Sequence, residues 1–379
     1  MTTSVSIVRN HTTTATSPSS SSKQIRDNRM AGRKRFYNIV DIIPSSAPWV
    51  SFMGEEVDSP ISAGVDGTQS ASNISLEKPS KVFMKEYLNP IRMNKSGMDC
   101  NHDVPWYGIT LDGRAIKTPM GTSLSVPSLP LALAIASEWD DQRSYLKPAQ
   151  MPIMTQVCTA IDQLSIPAVR ERTISELMRY LRNDTTCYYA DAIEDRMLYK
   201  RQTKAWEGIH AWAECQINGI GGTLAIAEGA GEGLIMSRAR ESKAAGLPHS
   251  DEMLYNAEQF LKECNSWSLA AMQAVTTEAK SFLVGSACVH AALDYSTTPS
   301  STASTSTDGT LNPFKKETKK AVKASRVEEE FQIETWGLVE GGHDYDRLNC
   351  SIQIHAAMTV LQCIKAIEGR STVTNVNRL

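Results

Sequence analysis

The chain has 379 residues, of which 41% are hydrophobic, and a formal net charge of -3. That is enough apolar material for a sizeable core and length for two ordinary domains. The near-neutral balance excludes a global pull towards nucleic acid or an anionic membrane, and no run of eighteen apolar residues predicts a transmembrane helix.

The first 34 residues carry Arg9, Lys23, Arg26, Arg29, Arg33 and Lys34 against one acid, Asp27, with serine and threonine between them. This composition suits an organelle transit peptide, or else a plain disordered tail. From Arg35-Phe36-Tyr37 an apolar alternation through Ile39, Val40, Ile42 and Ile43 predicts a strand. Residues 44–80 are rich in Ser, Gly, Pro and Asp and predict a long loop or insertion, with Lys81 to Tyr87 returning as a strand and a second loose segment reaching Pro105. Trp106 to Leu111 alternates into Asp112-Gly113, a tight-turn signal, so Arg114 to Thr118 predicts the partner strand and Leu124-Ser125-Val126 one more.

From Ser128 the period changes. Ser128 can cap a helix with Pro130 in its first turn. Leu131, Ile135 and Trp139 fall on one face, which predicts a buried Trp139, and Asp140, Asp141 and Gln142 end the helix in water. Met154, Val157, Ile161 and Leu164 predict a second helix. Ile174, Leu177, Met178 and Leu181 predict a third, with Arg170, Glu171, Arg172 and Glu176 outside. Further helical stretches are predicted at 195–217, 250–277, 279–295, 317–336 and 343–367, with a flexible Ser/Thr-rich loop near 296–312. The fold class is therefore α+β: a small β-rich domain over 35–127, with insertions, then a larger all-helical domain over 128–370.

Motifs for chemistry are absent from the sequence. Eight scattered cysteines form no C-x-x-C pair and suit reduced, buried thiols. The Gly-rich stretch 219–233 lacks the spacing of a phosphate loop and predicts a loop between helices or short strands. There is no H-E-x-x-H, and His343-Asp344 suits a helix start better than a metal pair. No G-x-S-x-G occurs. Catalytic residues, cofactor and metal are all expected to be none. One segment stands out: RVEEEFQIETWG at 326–337 mixes acids with large apolar groups. On a helix Val327, Phe331 and Thr335 share one face, and Glu328, Gln332 and Trp336 another. It suits a protein-binding surface, or a solvated acidic face with Trp336 buried.

The chain also resembles the assembly chaperone family that handles the α subunit of the ATP synthase catalytic head. The likeness runs through Arg35-Phe36-Tyr37, LDGRAIKTP at 111–119, VPSLPLALAIASEWDDQ at 126–142, MP at 151–152, TAID at 159–162 and YLRNDTTCYYA at 180–190. It continues through Gln202, Trp206 and Trp212, AKS at 279–281 and RVEEEFQIETWGLVEGGHDYD at 326–346. It departs at Gly208, in the insertions within 44–105 and 296–312, and over 219–249. The resemblance implies a monomeric chaperone of the mitochondrial matrix, without a cofactor, that binds the free α subunit and passes it to β by competition. It makes Glu328 the first client-binding candidate, through a charged contact or by holding a client-binding shape, with Glu329, Gln332 and Trp336 beside it. A matrix hydrolase or transferase using acids and His343 near 328–344 is the enzyme alternative, and a scaffold retained in the finished complex a third.

Overall fold

A computed structural model describes residues 33–50, 80–90, 104–216, 219–229, 246–293, 314 and 318–374, with side chains up to 365. The transit-peptide or tail segment up to residue 32, most of the two insertions and the 296–312 loop lie outside the described residues.

Strand β1 (Val40–Ser45) pairs antiparallel with β2 (Trp106–Leu111) along its whole length, from Val40 opposite Leu111 to Ser45 opposite Trp106. The Asp112-Gly113 turn returns the chain into β3 (Arg114–Ala115). Both turn residues have positive φ, 48° and 77°, as a two-residue hairpin turn requires. The Asp112 carboxylate also accepts the Asn38 and Ile39 N–H groups, which fastens the turn to the entry of β1. Strand β4 (Ser125–Val126) pairs with the other end of β2, so β2 is central and β1 is an edge that tolerates Pro44.

Residues 81–87 are not a strand but lie in helix α1 (Lys81–Leu88). Ser80 caps it by accepting the Phe83 N–H, Met84 and Leu88 are buried one turn apart, and Phe83 and Tyr87 stack one turn apart. The four-residue period outweighs the short alternation that suggested a strand.

Helix α2 (Leu129–Asp140) bridges the sheet and the helical remainder, with Ser128 accepting the Leu131 N–H and donating to the Cys363 carbonyl. Leu131, Ile135 and Trp139 are buried as their spacing predicts. Gln142, expected in water, is buried instead. Its amide donates to the Glu138 carbonyl and accepts the Lys147 N–H, so a polar side chain satisfies a turn that leaves the helix.

Helix α3 (Pro152–Asp162) has no cap of its own at Met151. Glu138 of α2 supplies one, accepting the Ile153 and Met154 N–H groups at 2.8 Å each. Burial pushes the Glu138 carboxyl up to about 7, against those two donors, which pull it down. An acid held above its ordinary 4.5 favours the fold while protonated, so its contribution is full below that value and lost as pH rises through about 7. Urea midpoints measured at pH 5 and pH 7.5 are expected to fall across this window, and Glu138→Gln is expected to flatten the fall. An equal pH dependence in that variant would refute the assignment.

In α4 (Pro167–Arg182) Arg170 is not outside as expected but buried: its guanidinium lies 4.5 Å from the Tyr87 ring and donates to the Lys262 and Cys264 carbonyls. An arginine can be spent inside when it meets an aromatic face and free carbonyls together. The chain then forms β5 (Tyr188–Tyr189), α5 (Arg196–Glu214) and β6 (Ala227–Glu228). The two strands pair in parallel, a small sheet within the helical part.

The single helix expected over 250–277 is two, α6 (Asp251–Glu263) and α7 (Ser266–Ala279), because Asn265 stops one and caps the next by accepting the Ser268 N–H. Lys280, at φ 53°, ends α7, and α8 (Phe282–Leu293) follows. Asp184, fully buried, joins these pieces by accepting from Thr186, Ser281 and the Leu283 N–H. The helix expected over 317–336 likewise divides at Arg326 into α9 (Thr318–Ser325) and α10 (Val327–Trp336). Helix α11 (His343–Thr374) starts at His343 as predicted and packs against α2, α3, α7, α8 and α9. Trp212, Trp267 and Phe282 are the largest fully buried side chains of a core that runs from the sheet to α11. The architecture is α+β, with a small strand region at the amino-terminal side and a mostly helical remainder.

Candidate functional site

Helix α10 has no buried residue. It is held from outside by polar contacts. Arg326, 5% exposed, sits at its start with Nη1 2.7 Å from Glu329 and Nε 3.4 Å from Glu330. Arg347 of α11 forks onto the two Glu330 oxygens. Lys280 reaches Glu329 at 3.5 Å. Burial alone would push the Glu330 carboxyl up. Hydrogen bonds and charge from Arg347 and Arg326 outweigh it and hold the carboxyl below the ordinary carboxylate range. The three first-turn glutamates also complement the positive end of the helix.

A second face of α10 meets α5. Gln202, 1% exposed, accepts the Ala190 N–H at 2.8 Å and donates to Glu328 Oε1 at 2.7 Å. Arg201 binds Glu334 at 2.6 Å and lies 5.3 Å from the Phe331 ring. Just before this, Trp206 donates its indole N–H to the Ala324 carbonyl at 2.8 Å. Two helices that pair 202 with 328 and 201 with 334 run antiparallel.

The four candidates are therefore not one cluster. Glu328 turns to α5 and Glu329 to Arg326 and Lys280, whereas Gln332 and Trp336 face outward. Trp336 is 78% exposed, which removes the alternative of an acidic face with that ring buried. His343 spends Nδ1 on the Val339 N–H, and Asp344 is exposed beside it. Among the described residues no three His, Cys, Asp or Glu side chains gather as metal ligands, and no helix is long and apolar enough to cross a membrane.

Comparison with known proteins meets this geometry. The model of the family described as ATP12 chaperone protein matches residues 93–214. The mitochondrial protein atp12 of Schizosaccharomyces pombe is 26% identical over 268 residues, covering 69% of this chain and 79% of that protein. Its Saccharomyces cerevisiae counterpart is 25% identical over 269 residues, covering 66% and 76%. The chain is similar to the ATP12 chaperone family. Both of these relatives are named as mitochondrial proteins. The crystal structure of Atp12 from Paracoccus denitrificans shares the fold, with a TM-score of 0.51, 21% identity and coverage of 68% of this chain and 91% of that one.

The matched segment ends with α5, so it contains Gln202 and Arg201 while α10 lies beyond it. Sequence reasoning found the acidic–aromatic helix but not its anchors, Arg201, Arg326 and Arg347. Only the pairs of Arg326 with Glu329 and Glu330, at i, i+3 and i, i+4, were open to local inspection. The others come from distant parts of the chain.

Proposed function

We propose that the chaperone binds the free α subunit of the ATP synthase catalytic head in the mitochondrial matrix, as a monomer, and yields it to the β subunit. An α subunit made alone exposes apolar surface meant for its neighbours, and such surface aggregates. A protein that covers it must also be displaceable. The observation that carries this reading is helix α10: fastened to α5 and α11 by ion pairs, it leaves Gln332 and the Trp336 ring outward. A rigid aromatic on a firmly held helix is the type of side chain that dominates protein interfaces. Gln332 and Trp336 are the direct client contacts in this reading. Glu328 and Glu329 hold α10 in place for them. Affinity capture of the full chain from mitochondria is expected to enrich the α subunit without β. Capture of β alone, or of neither, would overturn the proposed client.

A further inference from the structure

Beyond Trp336 the exposed apolar surface continues. Leu338, Val339, Tyr345 and Leu348 are all exposed, at 45–65%. The turn that carries the first two is well defined. Gly337 and Gly341 take positive φ values of 94° and 81°. The Val339 N–H donates to His343 Nδ1, and the Val339 carbonyl accepts the Gly342 and His343 N–H groups. Val339 is thereby folded back over the first turn of α11, where Tyr345 and Leu348 lie three residues apart on one side. Five large apolar groups on one hairpin between helices are a patch rather than the scattered exposure of an ordinary surface.

Along the hairpin itself the charges have one sign. Residues 336–346 hold Glu340, Asp344 and Asp346 and neither lysine nor arginine. All three acids are exposed. The first cation that follows, Arg347, is bound to Glu330. Because α10 runs antiparallel to α5, its carboxy-terminal end points to the start of α5. There Ile193 and Met197 are exposed beside Glu194 and Asp195, with the cation Arg196 exposed among them.

We infer that the α10–α11 hairpin is a docking patch for a cationic, apolar protein segment, one that sets large hydrophobic side chains between lysines or arginines. This deepens the proposed function and rests on it for the location of the client surface. Charge decides against other occupants. A second copy would bring the same acidic rim against itself, and nucleic acid and anionic lipid carry the wrong sign.

The test is an array of 15-residue peptides tiled over the subunits of the ATP synthase catalytic head, probed with the full chain at low and high salt. Captured peptides are expected to combine apolar residues with lysine or arginine. Trp336→Ser with Tyr345→Ser is expected to lower capture about tenfold at both salts. Glu340→Lys with Asp344→Lys and Asp346→Lys is expected to lower it about tenfold at low salt and to flatten the salt dependence. The same charge change at Glu171, Glu176 and Glu263, on α4 and α6, is expected to stay within about twofold. Capture of acidic or uncharged peptides, no capture, or equal capture by the patch variants would overturn the inference. Capture of cationic apolar peptides from a subunit other than α, lost in both patch variants, would leave it standing and overturn only the proposed client.

Discussion

Trp139→Ala is expected to lower the stability of the fold by about 3–5 kcal/mol, read from the urea midpoint of the full chain. The ring is 3% exposed and sits on the face of α2 turned to the sheet. Its centroid is 5.7 Å from that of Tyr37 in an edge-to-face pair, and the Tyr37 hydroxyl donates to the Trp139 carbonyl. Beside it Arg35 donates to the Asp140 and Gln142 carbonyls. Truncation would leave a cavity and loosen the strap of residues 35–37 that crosses α2. The indole N–H has no hydrogen-bond partner among the described residues. Trp139→Phe should therefore lose volume and an edge-to-face partner of reduced size, but no bond, at a cost of about 1–2 kcal/mol. An alanine variant as stable as wild type would show that the strap and the ring do not share a core.

The second large effect is at Glu328. Glu328→Lys is expected to abolish assembly of the catalytic head when the variant is the sole copy in mitochondria. The mechanism is positional. Gln202 is buried and divides its amide between the Ala190 N–H and Glu328. A lysine offers a donor where an acceptor is required, leaves the Gln202 amide donor stranded and turns α10 away from α5. Glu328→Gln keeps a carbonyl oxygen for that donor and removes the charge. It is expected to retain at least half of assembly, scored as assembled catalytic head on native gels. Loss of assembly in a well-folded glutamine variant would mean that the Glu328 charge itself meets the client, and the positional account would fall.

What the sequence made legible was the part decided by local rules. The Asp112-Gly113 hairpin, the Ser128 cap, the face of Leu131, Ile135 and Trp139, and the start of α11 at His343 each depend on a few adjacent residues. The misreadings lie where a distant partner decides. Arg170 is buried because Tyr87 and two carbonyls from the end of α6 and the residue after it wait for it, and Gln142 because Lys147 turns back onto it. Long helical patterns at 250–277 and 317–336 concealed breaks at Asn265 and Arg326, since neither residue interrupts the apolar period. The site divides in the same way. Its acids and its tryptophan were visible in one short segment. The separation of Glu328 from Trp336 was not, because it depends on where α5 places Gln202 and Arg201.

The central strand β2 carries a further consequence, for the order in which the chain itself can mature. Its partner β1 ends sixty residues earlier, from Ser45 to Trp106, and the cap of the helix that covers the sheet is tied to Cys363. Closing such long loops costs entropy before any contact rewards it, and pairings of this span are slow. A chain cut short of α11 would leave the apolar sides of α2, α3 and α7 bare. Until its last long helix has arrived, the chain is an incomplete molecule in need of shelter.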